Sequence, residues 1–166
     1  MAITTIGKNA IGSLPAGSAL QVIQTVKKDT FATTNTSFTD ITGLSVAITP
    51  SSTSNKILIQ VQLQNNATYT YAKFFNLLRG STSILVADTG LSNQTESSVY
   101  SRDEAFGEVT PLTFLDSPSS TSEQTYKMQG SVQSGGELTI NYTQSNINAA
   151  YIGRGTSTIT AIEIAG

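Results

Sequence analysis

From Lys56 to Gln64 the chain reads Lys-Ile-Leu-Ile-Gln-Val-Gln-Leu-Gln. Ile57, Ile59, Val61 and Leu63 fall on one face of an extended backbone, and Gln60, Gln62 and Gln64 on the other. A period of two sustained over that length is a β-strand with one face in a core, because helical geometry would scatter the same residues around a cylinder. The polar face carries amides where Lys and Glu would be expected. Charged residues make up only 12% of the chain, about half the usual share of a soluble domain. An amide face still hydrogen-bonds to water but costs less to desolvate than a charged one. It suits a surface that another subunit covers.

The same alternation recurs along the chain. Leu20, Val22 and Val26 share a face, and Phe31 and Phe38 follow across a Thr-rich turn region. Leu44, Val46 and Ile48 alternate with Ser45, Ala47 and Thr49, and Pro50-Ser-Ser-Thr-Ser-Asn55 reads as a turn. A polar link is expected at Asn65-Asn66. Residues 71–79 are apolar on both faces (Phe74, Phe75, Leu77, Leu78), which suggests a doubly buried strand ending at Gly80. Residues 84–87 form a short strand, and 88–105 the longest irregular segment. Pro111 interrupts the strand at 109–115, marking an edge or a bulge. Tyr126, Met128 and Val132 alternate with polar residues, as do Leu138, Ile140 and Tyr142. In the last strand, 157–165, Ile159 points one way and Ile162 and Ile164 the other, so one face meets the core and the other is offered to a symmetry mate. Eight to ten short strands joined by Ser/Gly/Pro turns predict an all-β, two-sheet antiparallel sandwich or jelly roll. Residues 1–19 lack periodicity and are punctuated by Gly7, Gly12, Pro15 and Gly17. They read as an extended N-terminal attachment arm with Ile3, Ile6, Ile11 and Leu14 as apolar anchors, ahead of a sandwich domain over 20–166.

Charge and composition narrow the function. A net charge of -2 offers no basic surplus to neutralise a phosphate backbone, so nucleic acid is not the expected partner. No polybasic cluster or long apolar run points to a membrane. The N-terminus has no basic leader followed by an apolar core, so export is not expected. With no Cys and no His, thiolate and imidazole metal sites, cysteine nucleophiles and Ser-His-Asp triads are excluded, and no cofactor is expected. Asp103, Glu104 and Glu108 form the densest acidic group, beside Arg102, and are the carboxylates a polysaccharide-degrading enzyme would need. A solvated loop, with Arg102 partly offsetting its neighbours, is the expected reading of them. Gly153-Arg-Gly155 has the look of a phosphate-binding fragment but no helix pattern follows it, so a loop before the last strand is expected. Tyr69, Tyr71 and Tyr100 lie in or beside polar segments, where their rings could stack on sugars or simply pack along sheet edges.

Several segments together carry a resemblance. They are Ala16-Gly-Ser-Ala-Leu-Gln-Val-Ile-Gln-Thr-Val26, Asp29-Thr-Phe-Ala-Thr-Thr34, Phe38-Thr-Asp-Ile-Thr-Gly-Leu44, Ile48-Thr-Pro-Ser-Ser-Thr-Ser-Asn-Lys-Ile57, Leu115-Asp-Ser-Pro118 and the closing Ser157-Thr-Ile-Thr-Ala-Ile-Glu-Ile-Ala-Gly166. The chain resembles small β-structured virion proteins of bacteriophages, especially aquatic and cyanobacterial ones, of the tail-fibre, head-appendage or decoration type. That resemblance implies a jelly roll like that of tumour necrosis factor, a homotrimer and no enzymatic activity. It implies a virion location after synthesis in the bacterial host cytoplasm. The expected partners are further copies of the chain, a capsid or tail protein held through residues 1–19, and a host-surface glycan. Gln60, Gln62, Gln64, Ile159, Ile162 and Ile164 are the expected oligomer contacts. A carbohydrate-binding module for host-surface glycans is the alternative function.

Overall fold

The alternating strand expected at its centre organises the whole molecule. In the computed structural model, which describes residues 14–67, 71–102, 107–143, 148–150 and 152–166, eleven strands are described and no helix. They are β1 (Ala19–Lys27), β2 (Phe31–Thr33), β3 (Thr39–Ile48), β4 (Lys56–Ala67), β5 (Lys73–Arg79), β6 (Thr82–Leu85), β7 (Val99–Ser101), β8 (Glu108–Asp116), β9 (Gln124–Val132), β10 (Leu138–Ile140) and β11 (Ser157–Ile164).

Their pairing is nested. The first strand lies against the last (β1 with β11), then β2 with β10, β3 with β9, β4 with β8, and β5 with β6 and β7 at the inner end. Every pair is antiparallel. A long hairpin paired in this way and wrapped into two layers is a jelly roll. One sheet runs β1-β11-β4-β8, with β10 and β2 continuing beside the far end of β4; the other runs β3-β9-β5 and ends on β6 and β7. The chain is thus an all-β, two-sheet antiparallel sandwich, as the periodicity predicts.

The core fills the space between the sheets. Ile57, Ile59, Val61 and Leu63 of β4 are fully buried there, against Leu44, Val46 and Ile48 of β3, Phe75 and Leu77 of β5, and Tyr126 and Met128 of β9. Each such side chain contributes about 1.5–3 kcal/mol of hydrophobic stabilisation. In β3 the inward positions step from Ile41 to Leu44, which breaks strict alternation. Gly43, with φ +79°, absorbs the irregularity in a left-handed conformation where the β3–β9 register shifts.

Four local expectations need correction. Asn65 and Asn66 are not a link but the buried end of β4. Asn65 Nδ2 donates to Leu63 O and to Thr110 Oγ1, and the Asn66 carboxamide oxygen accepts from the Ala67 N–H, while the buried Asn65 Oδ1 has no partner among the described residues. The Leu138 strand stops before Tyr142, because Asn141 takes φ +66° and leaves the extended region. The segment 88–105 is not wholly irregular, since it contains β7, and Phe31 belongs to a short strand of its own. Pro111 occupies the edge position predicted for it. Among the described residues β8 pairs only with β4, and Pro111 lies opposite Gln62.

Candidate functional site

The outer face of the first sheet is built by residues pointing away from the core on four adjacent strands. The registers of β1, β11, β4 and β8 align these residues into rows across the sheet. One row is Val22, Ile162, Leu58 and Leu115, aliphatic across the full width. The next is Gln24, Thr160, Gln60 and Thr113, and the third is Val26, Thr158, Gln62 and Pro111. Neighbours on one face of a sheet interact directly, and Gln24 Nε2 donates to Thr160 Oγ1 at 2.9 Å. Between the second and third rows lies a shallow depression of about 320 Å³, lined by Gln24, Gln60, Gln62, Pro111, Thr113, Thr158 and Thr160. Val22 is 62% exposed and Leu115 46%. None of the residues in these rows is charged, and Lys56, paired with Ile164, stands at their margin. The face is therefore neutral, partly aliphatic and flat.

The charges the chain does carry are used elsewhere. Lys73 of β5 is buried, and its ammonium lies 3.1 Å from Glu108 of β8 in the opposite sheet. At the other end of the same two strands Arg79 meets Asp116 at 2.6 Å, and the buried Tyr126 hydroxyl donates to the same carboxylate at 2.7 Å. The two sheets are thus clamped at both ends of β5. Burial raises the Glu108 carboxyl, but hydrogen bonds from Ser101, Lys73 and Thr110 outweigh it and hold the group below the usual carboxylate range. Burial and the neighbouring Asp116 carboxylate push the Tyr126 phenol far up, so it stays protonated.

Glu163 of β11 is a buried carboxylate held by neutral donors. Its Oε1 accepts from Ser51 N–H at 2.6 Å, Ser51 Oγ at 2.8 Å and Asn55 Nδ2 at 2.6 Å, and its Oε2 from Gln21 Nε2 at 2.6 Å. Burial raises this carboxyl too, and those hydrogen bonds overcome the effect and lower it. The Ser-rich turn after Pro50 is thereby tied to the first and last strands. Asn141 plays a comparable part at the opposite end of β11. Its Nδ2 donates to the carbonyls of Lys27 and Asp29, both at 2.9 Å, and its Oδ1 accepts from Ser157 Oγ at 2.7 Å. Neither residue stands out in the sequence, because its role depends on loops far away in the chain.

The expected site residues separate clearly. Gln60, Gln62, Gln64, Ile162 and Ile164 lie on the outer face of the first sheet. Ile159 does not join them: it is 0% exposed in the core, where alternation along β11 puts it beside Ala161. Leu14 is exposed, whereas Ile3, Ile6 and Ile11 lie outside the described residues. Tyr71 is half-buried against the core and over Gly136, where an added Cβ would come within 2.8 Å of its Cβ and Cγ; it is a packing residue and no platform for a sugar. Tyr69, Asp103 and Glu104 lie outside the described residues. Glu108 is engaged with Lys73, Ser101 and Thr110, which fits a structural carboxylate better than a reactive one. Tyr100 is exposed on β7 and pairs with Phe74 of β5. Among the described residues no group of three or more acidic, His or Cys side chains is placed to hold a metal ion.

No family model and no curated protein matches the chain. Solved structures do. The structure of the infectious bursal disease virus Gx strain matches with a TM-score of 0.42 and 14% identity, over 100% of this chain and 42% of that one. The VP2 subviral particle of infectious bursal disease virus gives 0.43 and 14%, over 100% and 42%. T=1 particles derived from infectious bursal virus give 0.42 and 13%, over 99% and 41%. This chain spans about two fifths of the length of those it matches. The similarity is one of chain trace at low identity, and the fold rests on the strand pairing described above.

Proposed function

We propose that the chain is a non-enzymatic structural subunit of a bacteriophage virion. It forms a homotrimer that decorates the capsid as an appendage or belongs to a tail fibre, anchored to a capsid or tail protein through residues 1–19. The observation that carries the reading is the neutral outer face of the first sheet with its unbroken aliphatic row. Covering the exposed Val22 and Leu115 and the partly buried Leu58 and Ile162 returns up to about 1 kcal/mol each. The Gln and Thr rows beside them lose little on desolvation and can hydrogen-bond across a contact. A monomer would gain nothing from a face so poor in charge, which lowers solubility. The segments resembling phage virion proteins supply the trimer and the location.

The test is the mass of the full chain in solution by light scattering. The reading expects a species of three chains. A monodisperse species of 17.5 kDa would overturn the trimer. Labelling of the intact particle with an antibody against the chain then separates head from tail.

A further inference from the structure

The opposite side of the molecule carries a different kind of surface. On the outer face of the second sheet lies a groove of about 500 Å³, within the range of small-ligand sites. Phe74 and Tyr100, cross-strand partners on β5 and β7, form its floor, with ring centroids 5.6 Å apart and planes tilted by 39°. Asp88, Asn93, Gln94 and Glu96 form its wall. The wall is held by its own hydrogen bonds. Leu91 N–H donates to Gln94 Oε1 at 2.8 Å, Gln94 N–H to Leu91 O at 2.8 Å, and Gly90 N–H to Glu96 Oε1 at 3.2 Å. A Cβ on Gly90 would lie 2.6 Å from Gln94 Oε1, so a larger residue there would displace the Gln94 side chain. Beneath it, Ser98 N–H donates to Asn76 Oδ1 at 3.0 Å and fastens the segment to β5.

The lining decides the ligand class. Two carboxylates, with no Lys or Arg among the described lining residues, repel an anion. Two amides supply both donors and acceptors, the carboxylates supply acceptors, and the exposed Tyr100 ring supplies a flat apolar surface. A pyranose matches all three: its C–H face stacks on the ring, and its hydroxyls both donate and accept. A cationic peptide would use the carboxylates and the ring and match the amides through its carbonyls, so it is the rival that the titration has to exclude. We propose that the groove between Tyr100 and the Asp88–Glu96 wall binds a neutral saccharide. The sequence marks Tyr100 alone of these residues; the rest of the site comes from the 88–96 segment folding over β5. The groove is on the sheet opposite the proposed oligomer face, so this inference and the trimer stand or fall separately.

The experiment titrates the full chain with maltotetraose, cellotetraose and chitotetraose, and in parallel with tetralysine and a sulfated tetrasaccharide. Ligand-observed NMR and tyrosine fluorescence report binding. At least one neutral tetrasaccharide is expected to bind, with Tyr100→Phe retaining affinity and Tyr100→Ala weakening it about tenfold through lost stacking. Tyr100 is on the surface, so an unchanged melting temperature will show that the alanine variant is folded. Three results would overturn the proposal: no neutral tetrasaccharide bound at about 10 mM, where even very weak sites fill, binding unaffected by Tyr100→Ala, or binding of tetralysine or the sulfated sugar alone.

Discussion

Replacing Glu163 tests how a chain so poor in charge holds its termini together. In the folded protein this carboxylate accepts four hydrogen bonds from Ser51, Asn55 and Gln21, and among the described residues no cation pairs with it. Glu163→Gln keeps the shape but turns one acceptor oxygen into a donor, which must face either the Gln21 amide or the Ser51–Asn55 cluster. One or two charge-assisted hydrogen bonds are lost, while the exposed Ser51 donors regain water. The expected loss at pH 7 is about 1–2 kcal/mol, or a melting temperature lower by roughly 3–6 °C for a domain of this size. Glu163→Ala also leaves the buried Asn55 amide with only Ser51 Oγ as acceptor for its Nδ2 and should cost about 3 kcal/mol. The pH dependence gives the sharper signature. The folded carboxyl titrates below its unfolded value, so its contribution is fully present above the unfolded pKa, about 4.3. It is lost as pH falls through the folded pKa. Urea denaturation of wild type and Glu163→Gln, at equal protein concentration from pH 7 to pH 3, should therefore show a gap that closes toward the acid end. Other carboxylates are common to both proteins and cancel. A gap of the same size at pH 7 and pH 3, or no gap at pH 7, would refute the reasoning.

Two further substitutions probe the same framework. Asn141→Ala removes the bonds to Lys27 O, Asp29 O and Ser157 Oγ and puts alanine at φ +66°; it should cost about 2–4 kcal/mol in denaturant unfolding, and Asn141→Gly, which relieves only the backbone, should recover a minor part. Glu108→Ala leaves the Lys73 ammonium buried without its partner and should cost about 3 kcal/mol, whereas the double variant Lys73→Met, Glu108→Leu should be markedly less harmful; a thermal-melt cycle of the single and double variants reads the difference.

Where burial follows a period of two, the fold is legible in the residues themselves. β4, β9 and β11 can be read from their alternation, and the doubly buried β5 from its apolar residues on both faces, because Leu78 and Asn76 are covered from outside while Phe75 and Leu77 face the core. Pro111 announces an edge because a ring nitrogen cannot join a ladder on both sides. The nested pairing is not local, since it joins residues as far apart as Val22 and Ile162. Asn65 and Asn66 look like a loop because their burial is made tolerable by Thr110 and by backbone groups that only the folded sheet supplies. The site was legible to the same degree. Gln60, Gln62 and Ile162 can be placed on one face from periodicity, but Val22, Leu58 and Leu115 become their neighbours only through register. The groove beside Tyr100 was invisible for a similar reason, its wall being a short polar segment, Asp88 to Glu96, without a periodic pattern.

The central claim is that the neutral outer face of the first sheet is the contact between copies. Leu58 lies in the middle of the aliphatic row, and Ala47 is exposed on the opposite sheet. Burying an unpaired ammonium at Leu58 would cost several kcal/mol, while Leu58→Lys in a lone chain leaves it in water. The direct measurement is the solution mass of wild type, Leu58→Lys and Ala47→Lys by light scattering, with circular dichroism to confirm the fold. Wild type and Ala47→Lys should contain three chains and Leu58→Lys one. Assembly of Leu58→Lys to the same mass as wild type, or a wild type that is already a single chain, would contradict the account.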